Sequence, residues 1–502
     1  MNHLLTRRVW LSASATATWG IVGTALLAAC GGTSATTSTA ASTTSSAAIS
    51  AQSSTASGAT KTSAVSSGAS AVSSATTAAA VSSAASSAAA TASSSAAGQK
   101  GVVLTYMSPD SQGRHEVEQA IYDDFAKANP GVSVQIVSGG TGWSTLETKL
   151  KAMIAGATPP DLYQDASGNW ADVQSSLVEL SPLLARAKLD PKQVFALPAI
   201  QTFTDQAGKI WALPLVGISQ DALAFNQGLF DSAALPHPPV DPNDASWTMD
   251  QFLEYAQKLT KADQLQFGFG GTVGGDDDGG IERPTYFGQG PWDDQAQRAQ
   301  MDQPGAVQGL QFFKDLRDKY HVQPTADQVK AIGAHGDVFT SGKIGMQVVY
   351  GYILKLNFNW GLAALPHSGA QNISGRQFAQ PIFSVKTPHA DQGWALLQWL
   401  TTPANAARFP LSGHYAVSPV NGASDLAMQT YKEQVGVDPQ AFLLMSQHSH
   451  VAAWGMLKYP GSSKVDDWLI KNFKAFDQGT QSAADYGKAA TAYIDANLLQ
   501  AL

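Results

Sequence analysis

Residues 102–137 read VVLTYMSPDSQGRHEVEQAIYDDFAKANPGVSVQIV, and their hydrophobic periods decide the fold. Val102-Val103-Leu104-Thr105-Tyr106 is a short, largely apolar run, the pattern of a buried strand. Val117, Ile121, Phe125 and Ala128 then recur at helical spacing, and Pro130-Gly131 stops the pattern. Val132, Val134 and Ile136 alternate with Ser133 and Gln135, which predicts a second strand. In STLETKLKAMIAG, residues 144–156, Ser144 and Glu147 have the spacing of a capping box. Leu146, Leu150 and Met153 line one face there, and Gly156 ends the predicted helix. PPDLYQ, residues 159–164, predicts a third strand. Strand, helix, strand, helix, strand is the order of an α/β lobe with a mostly parallel sheet.

Outward from this unit, the 502 residues divide by composition. Residues 32–98 are almost entirely Ser, Thr and Ala, with too few bulky apolar groups to offset the entropy of ordering a chain. The remaining residues, 99–502, are enough for a core split over two lobes. Net charge is −8 and the part expected to fold has no basic run, which argues against nucleic acid as a partner. After residue 30 no apolar run approaches the ~20 residues that cross a bilayer.

The first thirty residues have the layout of an export signal. Arg7 and Arg8 precede an uncharged stretch from Val9 to Ala29. Leu27-Ala28-Ala29-Cys30 resembles the lipobox of bacterial lipoproteins, in which the chain is cut before the cysteine and the thiol is lipidated. Thr6-Arg7-Arg8-Val9-Trp10-Leu11 resembles a twin-arginine export motif, with Trp10 in place of the usual Phe. Cys30 is the only cysteine, so no disulfide forms within one chain. Residues 1–29 are therefore expected to be a signal peptide. Residues 30–98 are expected to be a lipid-bearing Cys30 followed by a flexible tether, about 45 Å end to end as a coil.

Across residues 101–502 a series of blocks resembles extracellular solute-binding proteins of the maltose-binding-like, sugar-import class. The blocks are DDFAKANPGVSVQIV, TKLKAMIAGATPPDLYQ, LVELSPLL, GKIWALPL with DALAFNQGLFDSAAL, and SWTMDQFLEYAQKLTK. FTSGKIGMQVVYGY, NWGLAALPHSG, GWALLQWLTTPANAARF and GTQSAADYGKAATAYIDANL follow in the family order. The resemblance implies a two-lobe periplasmic-binding-protein-like fold, with a mostly parallel sheet in each lobe and a ligand cleft between them. By analogy the chain crosses near Pro214–Gly217, Pro381–Val385 and Ala416–Pro419. Lobe 1 would then hold residues 99–216 and about 382–416, and lobe 2 about 217–381 and 417–502. The resemblance further implies a monomeric receptor, not an enzyme and without cofactor. It would sit on the outer face of the cytoplasmic membrane and deliver a carbohydrate to the membrane subunits of an ABC-type permease.

A sugar offers ring-plane hydroxyls and apolar C–H faces, so its site needs aromatic platforms beside planar polar groups. Such clefts lie beyond the carboxyl ends of parallel strands. Ser108, Asp110 and Gln112 follow the first strand, Trp143 the second, and Asp165, Ser167, Asn169 and Trp170 the third. Ser219, Gln220 and Asp221 lie at the inferred first crossing, and Trp292 lies in a Gly-rich stretch. Tyr352 stands where relatives often carry a stacking tryptophan, with Tyr350 two residues before it. Tyr415 lies at the last inferred crossing beside His414. Packing competes with ligand contact for Trp143 and Trp170; Trp360 reads as strand packing, and Trp394 and Trp399 as core of an apolar helix.

Other chemistries have little support. No G-x-S-x-G, H-E-x-x-H, P-loop or C-x-x-C occurs. Asp276-Asp277-Asp278 lacks the alternation of a calcium loop and reads as a solvated acidic turn. His448 and His450 have no third metal ligand in sequence. Beside sugar capture, a structural surface protein with no small ligand stays open, and so do two further alternatives. One is the same receptor role for a glycerol phosphate ester or polyamine, with Arg114, Arg283 and Arg376 the arginines to examine. The other is a surface polysaccharide hydrolase or lyase, which needs a carboxylate pair that spacing cannot assign.

Overall fold

Alternation along the strands puts successive side chains on opposite faces, and both faces are apolar. In the computed structural model this makes lobe 1 a five-stranded sheet in the order β2-β1-β3-β11-β4. The strands are β1 (Val102–Ser108), β2 (Val132–Ser138), β3 (Leu162–Gln164), β4 (Ala212–Gln220) and β11 (Gln377–Ser384). The structure describes residues 101–498 except 112, 166–168, 272–277, 294–295, 334–336, 351–355, 369–376, 414 and 449–454. Tyr106, Leu162, Leu213 and Ile382 enter one core with Ile121 and Phe125 of helix α1 (Arg114–Ala128) and with Trp394. Their neighbours Met107, Tyr163, Ala212 and Phe383 enter a second core with Leu146 and Leu150 of helix α2 (Trp143–Ala155).

Lobe 2 is built the same way around a four-stranded sheet, β10-β5-β9-β6. It comprises β5 (Ala222–Asn226), β6 (Phe267–Gly270), β9 (Ile344–Val349) and β10 (Trp360–Ala363). Leu223, Phe225, Phe269 and Met346 face one core, and Ala222, Ala224, Phe267 and Ile344 the other. Trp360 packs within β10, as its sequence context indicates. A small ribbon of β7 (Trp292–Asp293) and β8 (Arg298–Ala299) adjoins a third core built on the helices Ser462–Asp477 and Ala483–Leu498.

The two-lobe architecture matches the expectation, but its sheets are mixed, not mostly parallel. β1 pairs β2 and β3 in parallel, whereas β11 runs antiparallel to both β3 and β4. In lobe 2 only β6–β9 is parallel. The cause is the domain connection: β11 returns from the other lobe, so it enters the lobe-1 sheet from the cleft side and runs against its neighbours.

The first crossing falls later than expected, and the return into lobe 1 falls earlier, before Gln377. Pro214 and Pro381 face each other inside the β4–β11 pair, where the register shifts. Neither proline has an N–H to donate, so the ladder breaks into a bulge there instead of crossing. Pairing resumes and runs to Gln220 opposite Gln377, and the chain first reaches lobe 2 through Asp221. The last crossing is more gradual. Val420 still bridges Phe195 of lobe 1, and Ala423 and Ala427 sit in a lobe-1 core. Tyr431, in the same helix Ser424–Val435, reaches a lobe-2 core.

Two local expectations need correction. The Ser144–Glu147 capping box is not formed; α2 begins two residues earlier, at Trp143 with Gly142 as its N-cap, and without a side-chain cap. Asp278 is not a solvated turn residue: it is buried, and its Oδ1 accepts the Gly280 N–H at 2.7 Å. Asp276 and Asp277 lie outside the described residues.

Asp161, at the start of β3, pins lobe 1. Its Oδ2 accepts the Thr105 N–H at 2.8 Å and the Thr105 hydroxyl at 2.9 Å. Its Oδ1 accepts the Thr387 hydroxyl at 2.6 Å and lies 3.1 Å from His389 Nδ1. Burial alone pushes a carboxyl up, but the donors from Thr387 and Thr105 outweigh it and hold Asp161 below the usual 3.8. A depressed carboxyl stabilises the fold above its unfolded pKa, and that contribution fades as pH falls through the folded value. We expect Asp161→Ala to cost roughly 2–4 kcal/mol at neutral pH in urea unfolding, and less than that at pH 3. An equal loss at both pH values would contradict this role.

Candidate ligand cleft

The strand directions bring one set of polar ends together. β1, β2 and β3 end at Ser108, Ser138 and Gln164; β4 ends at Gln220, and the antiparallel β11 starts at Gln377. All lie at the sheet edge that leads through Asp221 into lobe 2. The matching edge of lobe 2 holds Ala222 paired with Val349, so Tyr350 follows there, and Ala363 closes β10 beside them. Each lobe thus presents a strand-end edge to the other across Asp221.

The lobe-1 edge is polar yet nearly closed to solvent. Ser108, Gln164, Asp165, Ser219, Gln220, Asp221 and Gln380 are all buried. Such groups are costly inside a protein unless hydrogen-bonded, and a network runs through them. Arg114, the first residue of α1, donates from Nη1 to Gln164 Oε1 at 2.8 Å and from Nε to Ser111 Oγ at 2.9 Å. Gln164 donates from Nε2 to Gln380 Oε1 at 2.7 Å. Ser108 Oγ donates to Glu118 Oε2 at 2.7 Å, and Glu118 Oε1 lies 3.9 Å from Arg114 Nη1. From lobe 2, Tyr286 donates its hydroxyl to Asp221 Oδ2 at 2.5 Å.

The expected aromatic platforms separate into two groups. Trp170 is 1% exposed and packs in the lobe-1 core with Tyr163 and Phe383, so its ring is not open to the cleft. Trp292 is buried in lobe 2 with its ring 5.2 Å from Tyr459. Tyr415 is buried against β4, where a Cβ on Gly217 would come within 2.7 Å of its ring. Trp143 and Tyr350 remain half-buried, one beyond each facing sheet edge. The Arg114 guanidinium carbon stands 5.8 Å from the Trp143 ring centroid.

The remaining expected residues are scattered. Asp110 is exposed and accepts the Ser138 hydroxyl at 2.7 Å. Asn169 opens a 3-10 segment, Asn169–Ser176. Gln112, Ser167, Tyr352, Arg376, His414, His450 and Cys30 lie outside the described residues. Arg283 is buried in lobe 2, 4.9 Å above the Phe473 ring, and loss of solvent lowers its pKa to about 10. His448 ends a helix, with Nδ1 3.0 Å from Leu444 O and Nε2 3.1 Å from Asn243 Oδ1. Among the described residues no group of three or more His, Cys, Asp or Glu is placed to hold a metal ion.

The sequence analysis missed Glu118, Gln164, Gln380 and Tyr286, and it weighed Arg114 only for an anionic ligand. Gln164 and Gln380 sit inside strand patterns, with no local mark of a site. Glu118 had a faint signal: a carboxylate four residues after Arg114, on the same helix face.

A family model for bacterial extracellular solute-binding proteins matches residues 108–407. The chain belongs to that family. No curated protein sequence matches this solute-binding protein. Among solved structures it is similar to the ABC substrate-binding protein Lmo0181 of Listeria monocytogenes in complex with cycloalternan. Identity is 18%, the alignment covers 79% of this chain and 98% of that one, and the TM-score is 0.65. Maltose-bound MalE3 of T. maritima is 17% identical, with 78% and 99% covered and a TM-score of 0.61. UgpB of Mycobacterium tuberculosis in complex with glycerophosphocholine is 14% identical, with 80% and 99% covered and a TM-score of 0.62. These likenesses show the two-lobe fold.

The Glu118 carboxyl titrates in an unusual range. Burial pushes its pKa from 4.5 up to about 7, against the opposing pull of Arg114 and the Ser108 hydrogen bond. A raised carboxyl favours the fold while protonated, so its contribution is complete below pH 4.5 and is lost as pH rises through about 7. At 1.36 kcal/mol per pKa unit, the loss is roughly 3 kcal/mol. Glu118→Gln keeps an oxygen for Ser108 and removes the titration. Urea unfolding at pH 4.5 and pH 8.5 is expected to show a smaller drop in the variant than in the parent chain; identical drops would refute the assignment.

Proposed function

We propose that this solute-binding protein captures a carbohydrate between its facing sheet edges and passes it to an ABC-type permease. The observation that carries the reading is the pairing of a buried polar row with two half-buried rings, Trp143 and Tyr350, one on each lobe. Amide and carboxylate groups at one edge suit in-plane hydroxyls, and the rings suit the apolar faces of a sugar. Binding would draw on stacking and hydrogen bonds with no bond broken, and hinge closure would report occupancy to the permease. Cycloalternan and maltose in the related structures support an oligosaccharide as the first class to test.

A second reading has its own observation. Arg114 is buried at the same edge beside Trp143, and a guanidinium there suits a phosphate ester. Glycerophosphocholine in a third related structure makes that compound the natural competitor.

Calorimetry of the full chain against maltose, cycloalternan and glycerophosphocholine separates the two. For a bound oligosaccharide, Trp143→Ala and Tyr350→Ala should each weaken affinity by about ten- to a hundredfold, the worth of a stacked ring. Heat from glycerophosphocholine alone, abolished by Arg114→Gln, would reject the carbohydrate in favour of the phosphoester.

The reading also holds the protein at the outer membrane face through lipid on Cys30, with residues 31–98 as tether. In cell fractionation Cys30→Ser is expected to move the protein from membrane to soluble fractions. A variant still retained on membranes would contradict the anchor.

A further inference from the structure

The lobes touch through more than the strands that join them. Asp172 lies in the lobe-1 segment Asn169–Ser176, a few residues after Asp165. Its Oδ1 accepts the Gly461 N–H at 3.0 Å, and its Oδ2 accepts the Ser463 hydroxyl. Gly461 is the N-cap of the helix Ser462–Asp477, whose Val465, Leu469 and Phe473 belong to a lobe-2 core. Asp172 belongs to lobe 1, because its neighbours Trp170 and Ala171 pack with Tyr163 and Phe383.

The helix end is shaped for an outside cap. Gly461 adopts a φ of +92°, and a Cβ there would come within 3.1 Å of Asn497 O, so glycine suits both the backbone and the space. Having no side chain, it leaves the first-turn N–H groups without the usual Ser, Thr or Asp cap. A carboxylate from the other lobe instead accepts the N–H of Gly461 itself and the Ser463 hydroxyl, and so meets the positive end of a 16-residue helix dipole. Tyr459, two residues before Gly461, packs on Trp292 and ties the same corner into lobe 2.

We propose that Asp172 is a positioning residue that clasps the lobes shut by gripping Gly461 and Ser463 at the start of a helix of the opposite lobe. The grip comes from one exposed side chain, so it is strong enough to bias the lobes and weak enough to release. Asp172 lies seven residues after Asp165 in the chain, so a solute held at the Asp165 edge also bears on the clasp. The clasp does not depend on which solute is bound, and its failure would leave the carbohydrate reading untouched.

The test uses the full chain with no solute added and Cys30→Ser as background. Nitroxides are placed on Arg186→Cys in lobe 1 and Lys471→Cys in lobe 2, both exposed positions. Pulsed EPR is expected to show a short-distance population that Asp172→Ala reduces roughly tenfold relative to the long-distance one. Ser463→Ala should give a smaller reduction, and adding it to Asp172→Ala should change nothing further, because both act through one contact. Near-UV circular dichroism of each variant should match the parent, which separates opening from unfolding. A parent chain without a short-distance population, or an Asp172→Ala distribution that superposes on the parent's, overturns the proposal.

Discussion

Two prolines facing each other across one strand pair set the geometry on which the lobes depend. Pro214 and Pro381 can donate no hydrogen bond, so the β4–β11 ladder breaks between them and resumes with Gly217 opposite Gln380. A bulge of this kind bends a strand and increases its twist. Beyond it the ribbon of residues 217–220 and 377–380 leads out of lobe 1 towards Asp221. Tyr415 braces the ribbon by packing on Gly217, and Tyr286 fixes its far end through Asp221. The joint is therefore a paired and braced ribbon, and lobe motion must be taken up at and beyond its end.

That arrangement accounts for the polar row. A chain passing between two cores could remain apolar, and burying polar side chains there stabilises nothing by itself. Ser108, Gln164, Ser219, Gln220 and Gln380 nevertheless lie together at the edge facing lobe 2, threaded by the buried Arg114–Glu118 pair. Stability given up at one edge is what a binding function demands. The raised pKa of Glu118 is a physical trace of that compromise.

Much of this was legible in the sequence, for identifiable reasons. The strand and helix periods of residues 102–164 reappear as β1, α1, β2, α2 and β3, because local hydrophobic pattern decides those elements. The direction of β11 was not legible, since it follows from the chain's return from another lobe, a non-local fact. Trp394, read as core from helical spacing, is core. Trp170 looked like a platform because it follows a strand, and Trp292 because it lies in a Gly-rich stretch, but the side chain's direction decides, and both turn into lobe cores. Gln164 and Gln380 become partners across 216 residues of chain, which no local signal announces.

The central claim is that a solute is held by both lobes at once. Hydrogen exchange of the full chain, read by mass spectrometry with and without each of maltose, cycloalternan and glycerophosphocholine, tests it most directly. The account predicts that a solute which binds slows exchange both at residues 162–165 and 217–221 and at residues 344–350. Protection confined to one lobe, or lying away from both edges, would contradict it.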